Sequence, residues 1–556
     1  MAESGVTRRG LLRGAMALGG SGLIVAAGGA EVLAVSSKLA ARNRPVPYAN
    51  LFRRPPVLLP SERGVDEMGP FARYRLTQKV GLADMVPGLR TAIAGYNGIF
   101  PGPTIKVPQG TRTELRICNN LGRSTLYKGD FSTVTHLHGS ASLPQYDGYA
   151  NDRTASTNYK KYKYPNWQQG RTLWYHDHNH HTTAQNVFAG LAGMYHLSDP
   201  YERAQLPQGE YDVPLVVSDM AFKADGSVLF EDKSHEGFMG DVILVNGVAW
   251  PTMKVKPRVY RFRVLVASIS RSFRFALSTG EPFHVVATEA GMVPEVQAVS
   301  SFRHAPAERY EVLIDFRRYK PGTKVDLRNL SNKHNDDFAD TGKVMRFEVV
   351  ADSGPKDTYV IPSRLDVGPQ PFANRGAIDV MKLKPEMAKV RRRMRVQRKH
   401  GLWTINGETW ADVERTRFRR VFANPQPYDV EIWDLVNESG GWFHPVHIHL
   451  VDGQIIGRNT TPDGKAHAWE RGGKDVFYVG ENETVSVLMQ FTTGDGNAGG
   501  KYMVHCHNLV HEDSDMMIQF AVGDADANDP IASDPPVLDP EPEQAPQYGP
   551  GFPMGT

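Results

Sequence analysis

The chain has 556 residues, with 64 Lys and Arg against 61 Asp and Glu and a formal charge of +3. This balance excludes a nucleic-acid footprint, and the length allows two to four domains. With 53 glycines and 38 prolines the composition suits many turns and a mostly β protein. Two cysteines rule out a disulfide framework: Cys118, inside Leu115-Arg116-Ile117-Cys118, reads as a small buried strand residue, which leaves Cys506 for chemistry.

At the N-terminus Arg8-Arg9 precedes an uncharged Gly- and Ala-rich run from Gly14 to Ala30. Paired arginines ahead of a weakly hydrophobic segment form a twin-arginine export signature. Residues 1–42 are therefore set aside as a leader. The expectation is an exported protein, extracellular or in the cell envelope, with no stable membrane insertion afterwards.

Three stretches then repeat one plan. Tyr96-Asn97-Gly98 leads to Pro101-Gly102-Pro103-Thr104-Ile105-Lys106-Val107 and Glu114-Leu115-Arg116-Ile117. Val245-Asn246-Gly247 leads to Met253-Lys254-Val255 and Tyr260-Arg261-Phe262-Arg263-Val264. Ile405-Asn406-Gly407 leads to Asp429-Val430-Glu431-Ile432-Trp433. A turn at Asn-Gly followed by alternating strands fits an antiparallel Greek-key sandwich. Three such domains are expected at 43–205, 206–355 and 401–525, joined by a connector at 356–400. Within that connector the basic run Lys389-Val390-Arg391-Arg392-Arg393-Met394-Arg395 reads as a solvated strand edge rather than a docking patch. The Pro- and Asp-rich tail, 526–556, cannot build a core and should run over the surface or be disordered.

Histidines mark the first and third domains only. His136 and His138, His176 and His178, His447 and His449, and His505 and His507 share one spacing, and on a strand each pair would point to one side. Eight imidazoles can hold three metal ions. Cys506 sits between His505 and His507, so its thiolate faces the opposite way, with His511 and Met516 five and ten residues on. A thiolate, imidazoles from His444 and His511, and a weak axial thioether form the donor set of a blue-copper site. One short segment would then touch two metal sites, separated by a covalent path on the order of 10 Å.

These motifs, His-x-His-Gly, Trp174-Tyr175-His176-Asp177-His178, His-Pro-x-His-x-His and His-Cys-His-x3-His-x4-Met, resemble those of the multicopper oxidases over nearly everything from residue 45 to 525. Within that family the chain is most similar to the spore-coat-type laccases, the bilirubin oxidases and the phenoxazinone synthase or 2-aminophenol oxidase group. The resemblance implies an all-β fold of three Greek-key cupredoxin-like sandwiches. It also implies three kinds of ligand assignment by position, for four copper ions: His444, Cys506, His511 and Met516 at a type 1 copper, and His136 and His447 at a type 2 copper. His138, His176, His178, His449, His505 and His507 match the ligands of a type 3 pair. His180 and His181, which follow closely, are read as structural.

The implied activity couples four one-electron oxidations of a phenolic or aminophenolic reductant to reduction of O2 to two waters. Electrons would enter through the exposed edge of His511 and pass by Cys506 to His505 and His507. Glu512 and Asp147 match acidic residues proposed to relay protons in such relatives. A copper-free scaffold relative is the non-enzymatic alternative, and every ligand position being filled argues against it. A cuprous oxidase would call for a dense methionine segment, whereas only Met381, Met387 and Met394 are loosely grouped. No residue pattern signals an oligomeric state.

Overall fold

The three Asn-Gly turns are the same structure built three times. Both residues of each are left-handed: φ is 56° and 69° at Asn97-Gly98, 50° and 74° at Asn246-Gly247, and 55° and 77° at Asn406-Gly407. Asn and Gly are the residues that reach this region at least cost. In each, the asparagine also clasps an earlier strand. Its side-chain oxygen accepts from Thr77 N, Val216 N or Arg395 N at 2.8–2.9 Å, and its own N–H donates to the carbonyl of the same residue. The computed structural model describes residues 33–122, 131–231, 235–492 and 499–550.

The clasped strands, Gly69–Val86, Asp212–Met220 and Val390–Lys399, open the three modules. Each pairs in parallel with a strand further on beyond the turn: Arg112–Asn119, Val259–Val266 and Val430–Glu438. The sandwiches are therefore mixed rather than antiparallel throughout. After the turn the chain leaves the sheet and returns on the far edge of the opening strand, a crossover that must give parallel pairing.

This repeat also moves a boundary. Val390–Lys399 belongs to the third module, not to the expected connector at 356–400. Its arginines pair along the neighbouring strand, Arg391 with Asp434, Arg392 with Glu431 and Arg393 with Glu438. The basic run is thus a ladder of mostly exposed ion pairs, each worth little. Met394 is buried in the core of that module while Met387 is exposed, so these methionines share no face.

The N-terminal boundary differs from expectation, whereas the tail runs over the surface as expected. Arg8, Arg9 and the apolar run lie outside the described residues, but Leu33–Val35 pairs in parallel with Phe238–Gly240 and Leu39 is buried. The fold therefore begins within the stretch set aside as leader. In the tail, Val537–Leu538 adds a strand beside Asn158–Tyr164. Asp539, Glu541 and Glu543 then meet Arg116, Arg75 and Lys79. The tail is an ordered strap on the first module, held by its acids rather than by a core. Among the described residues no helix is long and apolar enough to cross a membrane.

The second sheets of the first and third modules carry the histidines. One runs Gly102–Pro108, Ala192–Ser198, Arg171–Asp177, Thr135–His138. The other runs Val476–Val479, His444–Ile448, Gly500–Cys506, Met517–Val522.

Candidate metal centre

Strand register brings the pairs together. In the first module His136 lies opposite His176, and in the third His447 lies opposite His505. Three of the pairs straddle a strand end, at Asp177, Ile448 and Cys506, and the second histidine follows directly. All eight rings are buried and meet between the two modules. His178 Nε2 and His449 Nε2 lie 3.2 and 3.1 Å from His505 Nε2, and His136 Nε2 is 3.4 Å from His447 Nε2.

The outward nitrogens explain which atoms face inward. His136 Nδ1 donates to Asp147 O, His447 Nδ1 to Asp475 O at 2.8 Å and His176 Nδ1 to Asp177 O at 2.8 Å. His449 Nδ1 meets Asp147 Oδ2 at 2.7 Å, and His505 Nδ1 meets Glu512 Oε2 at 2.9 Å. A neutral imidazole has one N–H, so an outward donor leaves an inward lone pair. Burial pushes His176 down to about 3 and His178 to about 4, and burial together with neighbouring imidazoles holds His136, His138, His447, His449 and His507 well below the ordinary value. His176 Nε2, His138 Nδ1 and both nitrogens of His507 have no hydrogen-bond partner. A buried space ringed by neutral lone pairs without donors fits a borderline-soft cation and little else.

The second site lies behind the same strand. Val446 is opposite Cys506 in the register, so the thiol points away from the face that carries His505. His444 Nδ1 and His511 Nδ1 are 3.4 and 3.6 Å from Cys506 Sγ. Their other nitrogens are engaged by Ser439 Oγ at 2.8 Å and Glu236 O at 2.7 Å. Met516 is fully buried, and its carbonyl accepts Cys506 N–H at 3.2 Å. Burial pushes the thiol up and His444 down to about 3. Ligation here would displace a thiol proton.

One expectation fails at this site. His511 has no exposed edge: it is 0% accessible, capped by Glu236 of the middle module and covered by the tilted ring of Trp403 with ring centroids 4.0 Å apart. Its cover comes from a segment more than 250 residues away in the chain, which no local spacing reports. The eight paired histidines, His444, Cys506, His511 and Met516 otherwise come together as two groups. Asp147 and Glu512 are buried against the first, neither as a plain turn residue nor as a solvated acid. His180 and His181 turn elsewhere, toward Asp515 and Asp513 O. Sequence reasoning missed Asp475, whose Oδ1 is 3.1 Å from His138 Nε2. No motif marks it, although it sits one residue before the Val476–Val479 strand that pairs with the histidine strand.

Fold and site together define a copper protein of the cupredoxin-like class, with a thiolate site joined through one strand to a histidine cluster. Sequence profiles of the multicopper oxidase family match residues 80–202 and 383–526. The chain is 40% identical over 471 residues to the bilirubin oxidase of Albifimbria verrucaria, covering 82% of this chain and 75% of that protein. It is 33% identical over 486 residues to a laccase of Bacillus subtilis (strain 168), covering 78% and 91%. A crystal structure of McoA multicopper oxidase from Aquifex aeolicus superposes with a TM-score of 0.73 at 28% identity, covering 86% of this chain and 100% of that one. The chain belongs to the multicopper oxidase family. It is a laccase-like copper oxidoreductase that uses type 1, type 2 and type 3 copper, a small-molecule reductant and O2.

Proposed function

We propose that the chain is an exported oxidase of phenols and aminophenols, with His444, Cys506, His511 and Met516 holding the type 1 copper. His136 and His447 hold type 2, and His138, His176, His178, His449, His505 and His507 hold the type 3 pair. When bound, copper supplies one-electron chemistry at the donor site and reduction of O2 to two waters at the cluster. The protein's part is to present neutral ligands, exclude water and keep the sites linked. The observation that carries the reading is the strand Gly500–Cys506, whose end supplies the thiolate to one site and flanking imidazoles to the other.

Glu512 holds the Nδ1 proton of His505 and comes within 3.7 Å of His178 Nε2. Asp147 holds the Nδ1 proton of His449, and its Oδ1 has no hydrogen-bond partner. Both carboxyls stand at the cluster wall and are assigned to delivering the protons that O2 reduction consumes. An axial Met516 favours the oxidised metal, so easily oxidised aromatic donors suit the site better than demanding ones. Bilirubin is the second reading, supported by the 40% identical relative of that name. Export rests on Arg8-Arg9, and replacing both by Lys should hold the protein inside the cell in fractionation.

The test is O2 uptake by copper-replete protein with 2-aminophenol, 2,6-dimethoxyphenol, bilirubin and Cu(I) in turn. Turnover of the two phenols is expected. Uptake with Cu(I) alone would sink the donor assignment, and turnover of bilirubin alone would favour the second reading.

A further inference from the structure

The middle module supplies none of the converging histidines, yet one of its side chains reaches a residue that touches them. Arg309, first residue of the Arg309–Asp315 strand, is fully buried. Its fork lies on Asp475 of the third module, Nη1 to Oδ1 at 2.7 Å and Nη2 to Oδ2 at 2.5 Å. Nε donates to Thr172 O of the first module at 3.1 Å, and Nη1 also to Ala307 O at 3.1 Å. Asp475 carries the contact onward: Oδ1 to His138 Nε2 at 3.1 Å, and its carbonyl to His447 Nδ1 at 2.8 Å. One residue thus touches two ligand rings from two modules, and an arginine from the remaining module holds it.

The consequence is a choice of tautomer. A carboxylate bonded at both oxygens to a guanidinium that stays charged faces His138 as an acceptor. The single proton of neutral His138 then sits on Nε2, and Nδ1, buried without a partner, keeps its lone pair. His447 is treated likewise, with Nδ1 held and Nε2 facing His136. The preceding motif leaves room for this pair. Gly139 has φ +88°, and a Cβ there would fall 2.5 Å from Arg309 Nη2 and 2.8 Å from Asp475 Oδ2.

We infer that Arg309 and Asp475 are a positioning pair for the histidine cluster, through which the ligand-free module orients His138 and His447 for metal capture. The inference rests on the cluster assignment proposed above. Arg309→Lys keeps the charge and loses the fork, while Asp475→Asn keeps the shape and offers a donor where an acceptor stood. Full-length protein of each is loaded with copper, then titrated with a chelator while copper per chain and the blue absorption of the Cys506 site are recorded. The expected result is blue absorption within about twofold of the parent and cluster copper bound about 10–100-fold more weakly. Unchanged binding at both sites in both variants overturns the inference, because the pair is then dispensable. Equal loss from both sites also overturns it, because the pair then serves the fold alone. A parent chain that takes up no copper fails the cluster assignment instead, before any variant is compared.

Discussion

At the scale of single residues the site is a set of hydrogen bonds that face outward so that lone pairs can face inward. Cys506 has no substitute in that set, since a hydroxyl at position 506 is a poor ligand for a soft metal. Cys506→Ser should abolish the intense blue colour of the copper-loaded protein, and an unchanged visible spectrum would refute the thiolate site. For the two carboxyls, Glu512→Gln and Asp147→Asn should each slow O2 reduction about 100-fold with the blue band retained. Reoxidation of the reduced enzyme, followed by stopped flow, checks this. Burial pushes Glu512 up, while the neighbouring rings of His505 and His178, when they carry a proton, pull it down, to about 2. The imidazoles give a pH prediction of opposite origin. Held at about 3 in His176 and about 4 in His178, they bind fewer protons folded than unfolded. Their stabilising effect is therefore present above the unfolded value near 6.5 and is lost as pH falls below it, by about 2 kcal/mol per ring at pH 5. Urea unfolding of copper-free protein at pH 8 and pH 5 should show that decline, and equal stability at the two would contradict it.

At the scale of elements, the repeated Asn-Gly clasp was legible because φ > 0 is a local demand that few residues meet. What each turn clasps was not legible, because Thr77, Val216 and Arg395 precede the turns by different numbers of residues. Asn406→Ala should cost about 1–2 kcal/mol, from a strained φ and a lost hydrogen bond at the surface. Asn406→Gly removes only the bond and should cost less. Equal unfolding midpoints for the two variants would show that backbone conformation contributes nothing there. The basic strand Val390–Lys399 teaches a related point. Its charges read as solvated, which they largely are, but its place inside a sheet depended on partners at Glu431, Asp434 and Glu438.

At the scale of the whole molecule, three modules meet where the histidines do, while the C-terminal strap lies on the first module. Deleting residues 537–556 removes the Val537–Leu538 pairing and the Arg116–Asp539 pair, both away from the ligands. Such a chain should melt about 1–2 °C lower, consistent with a loss of about 1–2 kcal/mol, yet keep its copper and its colour. Loss of copper on that truncation would mean that the strap reaches the centre after all. The cover over His511 belongs to this scale as well. Phe238–Gly240 of the middle module, next to Glu236, pairs with Leu33–Val35 from the start of the described chain.

Donor chemistry needed only the order of residues: a cysteine between two histidines, four i, i+2 pairs, and glycines or asparagines where the backbone turns left-handed. Side-chain type and the two-residue period of a strand are local properties, so they survive without the fold. Three matters belonged to tertiary structure alone: the burial of His511 under Glu236 and Trp403, the reach of Arg309 through Asp475 to His138, and the ordering of the acidic tail. Each depends on which distant segments come into contact, and contact between segments hundreds of residues apart is set by packing and charge pairing in the assembled molecule rather than by any local pattern.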